Sequence, residues 1–168
     1  YQGAGSSHIN PTGLSQPMDF LPDAIYAPGC DERGDTTDAL LEEARKAAQQ
    51  AEIAVVFAGL PDRCESEGFD RDDMKMPAGH LKMIEAVTSA NSNTIVFLLC
   101  GSAVECPWAD RVKAVLYMGL PGQAGGEAIA NLLYGRVNPG GKLAESWPFT
   151  YGDVPSSEIY GKTTDALY

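Results

Sequence analysis

Ile53-Ala54-Val55-Val56-Phe57-Ala58 is an unbroken apolar run with β-branched residues at its centre, and Gly59 ends it. A run without polar alternation predicts a strand buried on both faces, as in a parallel sheet. Two similar runs lie downstream. Thr94 to Leu99 stops before Gly101, and Val112 to Met118 stops at Gly119. Helical spacing fills the intervals. Leu40, Leu41, Ala44, Ala47, Ala48 and Ala51 predict a helix over about 36–51, with Asp35-Thr36 as its cap. Pro77 suits the first turn of a second helix, lined by Leu81, Ile84 and Val87 and running to about Ala90. Gly125-Gly126 precedes a third helix, whose face is Ile129, Leu132 and Leu133 and which Gly135 closes. Short strands are expected near Ala24–Tyr26 and Leu143–Glu145. This alternation predicts an α/β fold: a three-layer α/β/α sandwich on a mostly parallel sheet, with right-handed crossovers, as one domain over 1–168.

The 168 residues suffice for one ordinary domain with a sizeable core. Apolar residues make up 44% and charged residues 21%, which fits a globular chain and excludes disorder. Twelve basic residues against 23 acidic ones give a net charge of −11. Such a chain repels phosphate backbones and anionic membranes, so nucleic acid and membrane partners are set aside. Cys30, Cys64, Cys100 and Cys106 form no CxxC and no Cys/His ligand spacing, so no metal is expected, and no cofactor motif stands out. Reduced, mostly buried thiols are the expectation; disulfides stay open for an exported protein, and location is left unassigned.

In open α/β sheets, ligands bind beyond the carboxyl ends of the strands. That rule selects three loops: Cys64–Arg71 after the first strand, Gly101–Glu105 after the second, and Pro121–Gly126 after the third. The first belongs to a long connection over 60–76, and long loops are functional or disordered more often than short ones. It holds Asp62, Glu65, Glu67, Asp70, Asp72 and Asp73 among Arg63, Arg71 and Lys75. A carboxyl held against apolar surface keeps its proton to near-neutral pH and can pass it to a leaving oxygen. Gly68 permits a sharp turn there, and Phe69 offers an apolar wall. Composition alone favours a solvated charged loop with internal ion pairs over catalysis.

Other features are weaker. Gly3–Ser7 lacks the lysine of a phosphate loop, and Gly122 with Gly125-Gly126 reads as tight turning rather than an anion site. Ser102 lies outside any Gly-x-Ser-x-Gly elbow, and His8 and His80 have no motif partners. Trp108 and Trp147, each beside a proline, read as packing at loop corners before sugar stacking.

Taken in order, the motifs resemble those of family 3 glycoside hydrolases of the β-glucosidase type. Tyr1 to Pro11 is similar to the family's "QGGGSSHVNP" segment, and Tyr26-Ala27-Pro28-Gly29 follows it. Glu65-Ser66-Glu67-Gly68-Phe69-Asp70-Arg71, with Met76-Pro77, resembles "ESEGFDR…LP". Gly101 to Trp108, Pro121 to Gly126 and Val137 to Leu143 resemble "GSPVEMPW", "PGQEGG" and "VNPSGKL". The likeness covers nearly the whole chain, with Ala4, Ala103 and Cys106 as small departures.

The resemblance implies a retaining exo-acting β-glycosidase without cofactor, hydrolysing a β-glucoside or oligosaccharide. Its nucleophilic Asp would sit on a separate N-terminal barrel domain, and its acid/base Glu on a loop of this α/β domain. Motif position puts the acid/base at Glu67, with Glu65 as runner-up. Ser66 and Phe69 are implied at the substrate, and Asp70 with Arg71 as an ion pair fixing the loop. The barrel, the family's usual first strand before the Gln-Gly-Gly segment, and its fibronectin-like domain are not among these residues. A non-catalytic α/β module binding a small ligand at the same edge is the alternative, and a purely structural interaction domain is a third.

Overall fold

The computed structural model describes residues 1–160 and 162. The expected alternation is present: α1 (Asp38–Gln50), β1 (Ala54–Gly59), α2 (Ala78–Ala90), β2 (Thr94–Leu99), β3 (Ala114–Tyr117) and α3 (Gly125–Leu133). The three strands form one sheet in the order β1-β2-β3, and both pairings are parallel. Because side chains alternate along each strand, Ala54, Val56 and Ala58 share a face with Val96 and Leu98. That face joins Ala44 and Ala48 of α1 and Met83, Ile84 and Val87 of α2 in one buried cluster. α3 buries Ile129 and Ala130 outside that cluster and lies against the short 3-10 turn Pro17–Phe20; the fold is α/β, a three-stranded parallel sheet with helices. Phe57 and Phe97 point to the face opposite the cluster, where their rings stack 5.5 Å apart.

α1 caps one residue later than the sequence suggests. The Thr37 hydroxyl accepts from Leu40 N–H at 3.3 Å, whereas Thr36 donates its hydroxyl to the Gly29 carbonyl at 2.6 Å. The shift follows from Thr36 being drawn inward by that carbonyl.

Neither expected short strand forms. A cavity of about 660 Å³ lies between residues 24–28 and the free edge of β1 at Ala54–Phe57. Paired strands lie ~4.8 Å apart, so segment 24–26 has no ladder to join. Ile25 and Tyr26 are 55% and 68% exposed as a result. The strand that the resemblance implies before Tyr1 is not among these residues. Leu143–Glu145 also pairs with no strand among the described residues, although Trp147, just beyond it, meets Tyr117 of β3 edge-on at 5.1 Å. Trp108 is buried in the core.

The four thiols are free. Burial raises the Cys100 thiol to about 12 and the Cys106 thiol to about 11, so both stay protonated near neutrality. His80, on the first turn of α2, places Nδ1 3.0 Å from the carbonyl of Gly59 at the end of β1. Burial lowers its pKa, and the Arg63 charge adds to that against the opposing Gly59 bond. A histidine held neutral in the fold stabilises it fully above its unfolded value, ~6.5, and loses that contribution as pH falls through the lower folded value. Melting curves between pH 7 and pH 5 therefore fall toward acid, and a His80→Asn variant flattens that part of the profile. A wild-type profile that is level or rises toward pH 5 contradicts this account.

Candidate active site

Since β1, β2 and β3 are parallel, their carboxyl ends share one rim, and the connections after Gly59, Leu99 and Tyr117 all leave from it. The long loop after β1 is tied to the loop after β2 at three places. Glu65 accepts from Gly101 N–H at 2.8 Å through Oε2 and from the Ser102 hydroxyl at 2.6 Å through Oε1. Arg71 donates from Nη1 to Ser102 Oγ at 2.8 Å and to the Ala103 carbonyl at 3.1 Å. Glu105 N–H donates to the Met74 carbonyl at 2.8 Å. The loop is therefore clamped on both flanks, and its tip, Glu67 to Asp70, is exposed.

Arg71 does fix the loop, but not by the ion pair with Asp70 that the resemblance implies; Asp70 has no salt bridge within 4.0 Å among the described residues. The guanidinium instead finds a hydroxyl and a carbonyl across the rim, which suit its planar donor set. Ser102 serves this anchor, accepting from Arg71 and donating to Glu65.

The first sixteen residues lie along the same rim. Tyr1 accepts at its carbonyl from Gly122 N–H at 2.8 Å, and Ala4 bridges Ser66 in parallel. Ser6 N–H donates to Glu67 Oε2 at 2.6 Å, and the Ser6 hydroxyl donates to the same oxygen. Further along, Ser15 Oγ accepts from Gly126 N–H at 3.1 Å and caps α3. A Cβ at Gly126 would lie 2.4 Å from the Gln16 carbonyl carbon, so only glycine admits this approach. The first N–H groups of α3 are thus spent on an internal cap rather than offered to an anion.

The two glutamates differ sharply. Glu65 is half-buried with both oxygens occupied by neighbours of its own fold. Glu67 is exposed, and the Ser6 hydroxyl, then the Ser6 N–H, hold its carboxyl below the usual range. In this chain Glu67 is therefore a carboxylate at neutral pH, and Phe69, 49% exposed, shares the loop tip with it. Ser66 lies between the two glutamates and is half-buried. Sequence reasoning missed the Ser6 contact; Gly5-Ser6 resembles a bare turn until the rim brings it to Glu67. Among the described residues no group of three or more His, Cys, Asp or Glu is placed to hold a metal ion.

The model of the glycosyl hydrolase family 3 C-terminal domain matches residues 1–168. The chain belongs to glycosyl hydrolase family 3. A family 3 relative, thermostable β-glucosidase B of Acetivibrio thermocellus, is 49% identical over 164 residues, covering 93% of this chain and 22% of that protein. An exo-α-(1→6)-L-arabinopyranosidase of Bifidobacterium breve is 44% identical over 162 residues, covering 93% and 21%. A crystal structure of a family 3 β-glucosidase from Bifidobacterium adolescentis superposes with a TM-score of 0.86 at 40% identity, covering 92% of this chain and 24% of that one. The chain thus spans about a fifth of the length of the curated relatives it matches.

The clamp on this family 3 loop carries a direct expectation. Glu65→Gln weakens two charge-assisted hydrogen bonds, each worth roughly 1.5–3 kcal/mol. Hydrogen exchange at the Gly101 amide should accelerate by about tenfold or more, while exchange in β2 stays unchanged. Unaltered Gly101 exchange contradicts the clamp.

Proposed function

We propose that this chain supplies the acid/base half of the active site of a retaining exo-β-glycosidase, most nearly a β-glucosidase, with Glu67 as the group that gives and takes the proton. The observation that carries this reading is the contrast within one loop: Glu65 is consumed in anchoring, whereas Glu67 stands exposed at the tip with Oε1 unpartnered among the described residues. A carboxyl that must reach a substrate cannot be saturated by its own fold. Ser66 and Phe69 flank Glu67 on the substrate side, and the exposed Phe69 ring is the apolar wall against which a sugar would pack.

The other half comes from the N-terminal barrel domain, which contributes the nucleophilic carboxylate and most sugar contacts. Retaining chemistry requires the two carboxyl groups ~5–5.5 Å apart. When the barrel and a sugar cover the tip, Glu67 loses water, and desolvation raises its pKa against the pull of Ser6. Its proton then goes to the departing glycosidic oxygen as the nucleophile takes C1. In the second step the resulting carboxylate removes a proton from the water that attacks C1. The relatives are named for different sugars, a β-glucoside and an α-L-arabinopyranoside, at similar identity to this chain. Sugar choice accordingly belongs to the barrel, and the proton chemistry to this loop.

Glu67→Gln in the full-length enzyme should cut kcat/KM for alkyl glucosides by about a hundredfold or more. Dinitrophenyl glucoside, whose leaving group needs little protonation, should suffer far less. The 168-residue chain alone should show no turnover of either. Equal losses on both substrates, or turnover by the chain alone, contradict the proposal.

A further inference from the structure

The segment before the sheet is shaped to meet Glu67. Gln2 closes it on itself: its side chain accepts from Ile9 N–H at 3.0 Å and donates to the Ile9 carbonyl at 3.1 Å. The turn inside that closure carries Gly5 at φ +99° and His8 N–H donating to the Gly5 carbonyl at 3.3 Å. The Ala4–Ser66 bridge sets the segment in register with the loop. A Cβ at position 5 would lie 2.6 Å from Glu67 Cβ and 2.8 Å from its Oε2, so glycine is required both by the backbone and by the approach. The result is that two donors of one residue, the N–H and hydroxyl of Ser6, converge on a single oxygen of Glu67.

We propose that Ser6 is a positioning residue for the acid/base carboxyl: its two donors fix Oε2 of Glu67, so that Oε1 is the oxygen that delivers and recovers the proton. This rests on the acid/base reading of Glu67. In the first step the C1–O bond breaks, its electron pair stays on the departing oxygen, and the Oε1 proton joins that oxygen. The barrel carboxylate forms the new bond to C1. Negative charge then develops on Glu67, and the Ser6 donors meet it where it appears. Hydrogen bonds to an ionised acceptor are about twice as strong as those to a neutral one, so Ser6 binds the transition state more tightly than the ground state. The lowered pKa of Glu67 agrees with donors aimed at the charged form. In the second step water adds to C1, its proton returns to Oε1, and the barrel carboxylate leaves.

The test uses the full-length enzyme and two substrates, an alkyl glucoside and dinitrophenyl glucoside. Ser6→Ala removes the hydroxyl and keeps the N–H. It should lower kcat/KM for the alkyl glucoside by roughly ten- to a hundredfold and for dinitrophenyl glucoside by less than about threefold. Ser6→Thr, which restores a hydroxyl, should recover most of the loss. Ser6→Ala combined with Glu67→Gln should be no worse than Glu67→Gln alone, because Ser6 acts through that carboxyl. Equal loss on both substrates, no loss on either, or additive loss in the double variant overturns the role of Ser6. If Glu67→Gln itself affects both substrates alike, the acid/base reading falls first and the Ser6 role with it. If Glu67→Gln is leaving-group dependent and Ser6→Ala is not, the Ser6 role alone falls.

Discussion

The parallel ladder from β1 through β2 to β3 is the constraint on which everything else depends. Parallel pairing of Gly59 with Leu99, and of Leu98 with Tyr117, forces all three strands to end on one side. Three connections then compete for the same rim, and their backbone polar groups must find partners there or in water. Glu65, Arg71 and Glu105 settle that competition by tying the longest loop to its neighbour. With its flanks fixed, the short Glu67–Asp70 tip is held outward between them. A site assembled at the tip inherits its position from the sheet rather than from the loop's own stiffness.

The strands were legible because buried parallel strands write themselves as continuous apolar runs. Thr94–Leu99 begins and ends where its run does. β3 is shorter than its run, although Lys113 and Met118 still donate to the carbonyls of Thr94 and Leu98. Ala24–Tyr26 has strand composition but no neighbour, and a strand is a relation between two segments rather than a property of one. The helix cap was displaced for a similar reason: Gly29, far from Thr36 in periodic terms, claimed its hydroxyl.

The site was legible in part. The carboxyl-rim rule and the family motifs both led to the loop after β1; that loop is tied to the loop after β2, and residues 1–6 touch both it and the loop after β3. What residue order could not give was the different bonding of Glu65 and Glu67. Glu65 is fixed by partners 36 and 37 residues away, and Glu67 by one 61 residues away. Arg71 reaches 31 and 32 residues to Ser102 and Ala103 rather than one to Asp70. Charged neighbours in a loop suggest local pairing, but a rim offers better-oriented carbonyls and hydroxyls. The low affinity of Glu67 for its proton in the bare domain has the same origin: donors are present and a dry surface is not. On the proposed reading, a second domain completes the acid by removing that water.

The central claim is that Glu67 is the acid/base carboxyl of a retaining enzyme. Its most direct measurement is chemical rescue of a Glu67→Ala variant of the full-length enzyme by azide. With dinitrophenyl glucoside the first step needs little acid, so the glycosyl-enzyme accumulates, and a small anion can occupy the vacated space and attack C1 without general-base help. Azide should accelerate turnover and yield the β-glucosyl azide, identified by NMR. Absence of that product from Glu67→Ala, with its appearance from Glu65→Ala, would contradict the assignment.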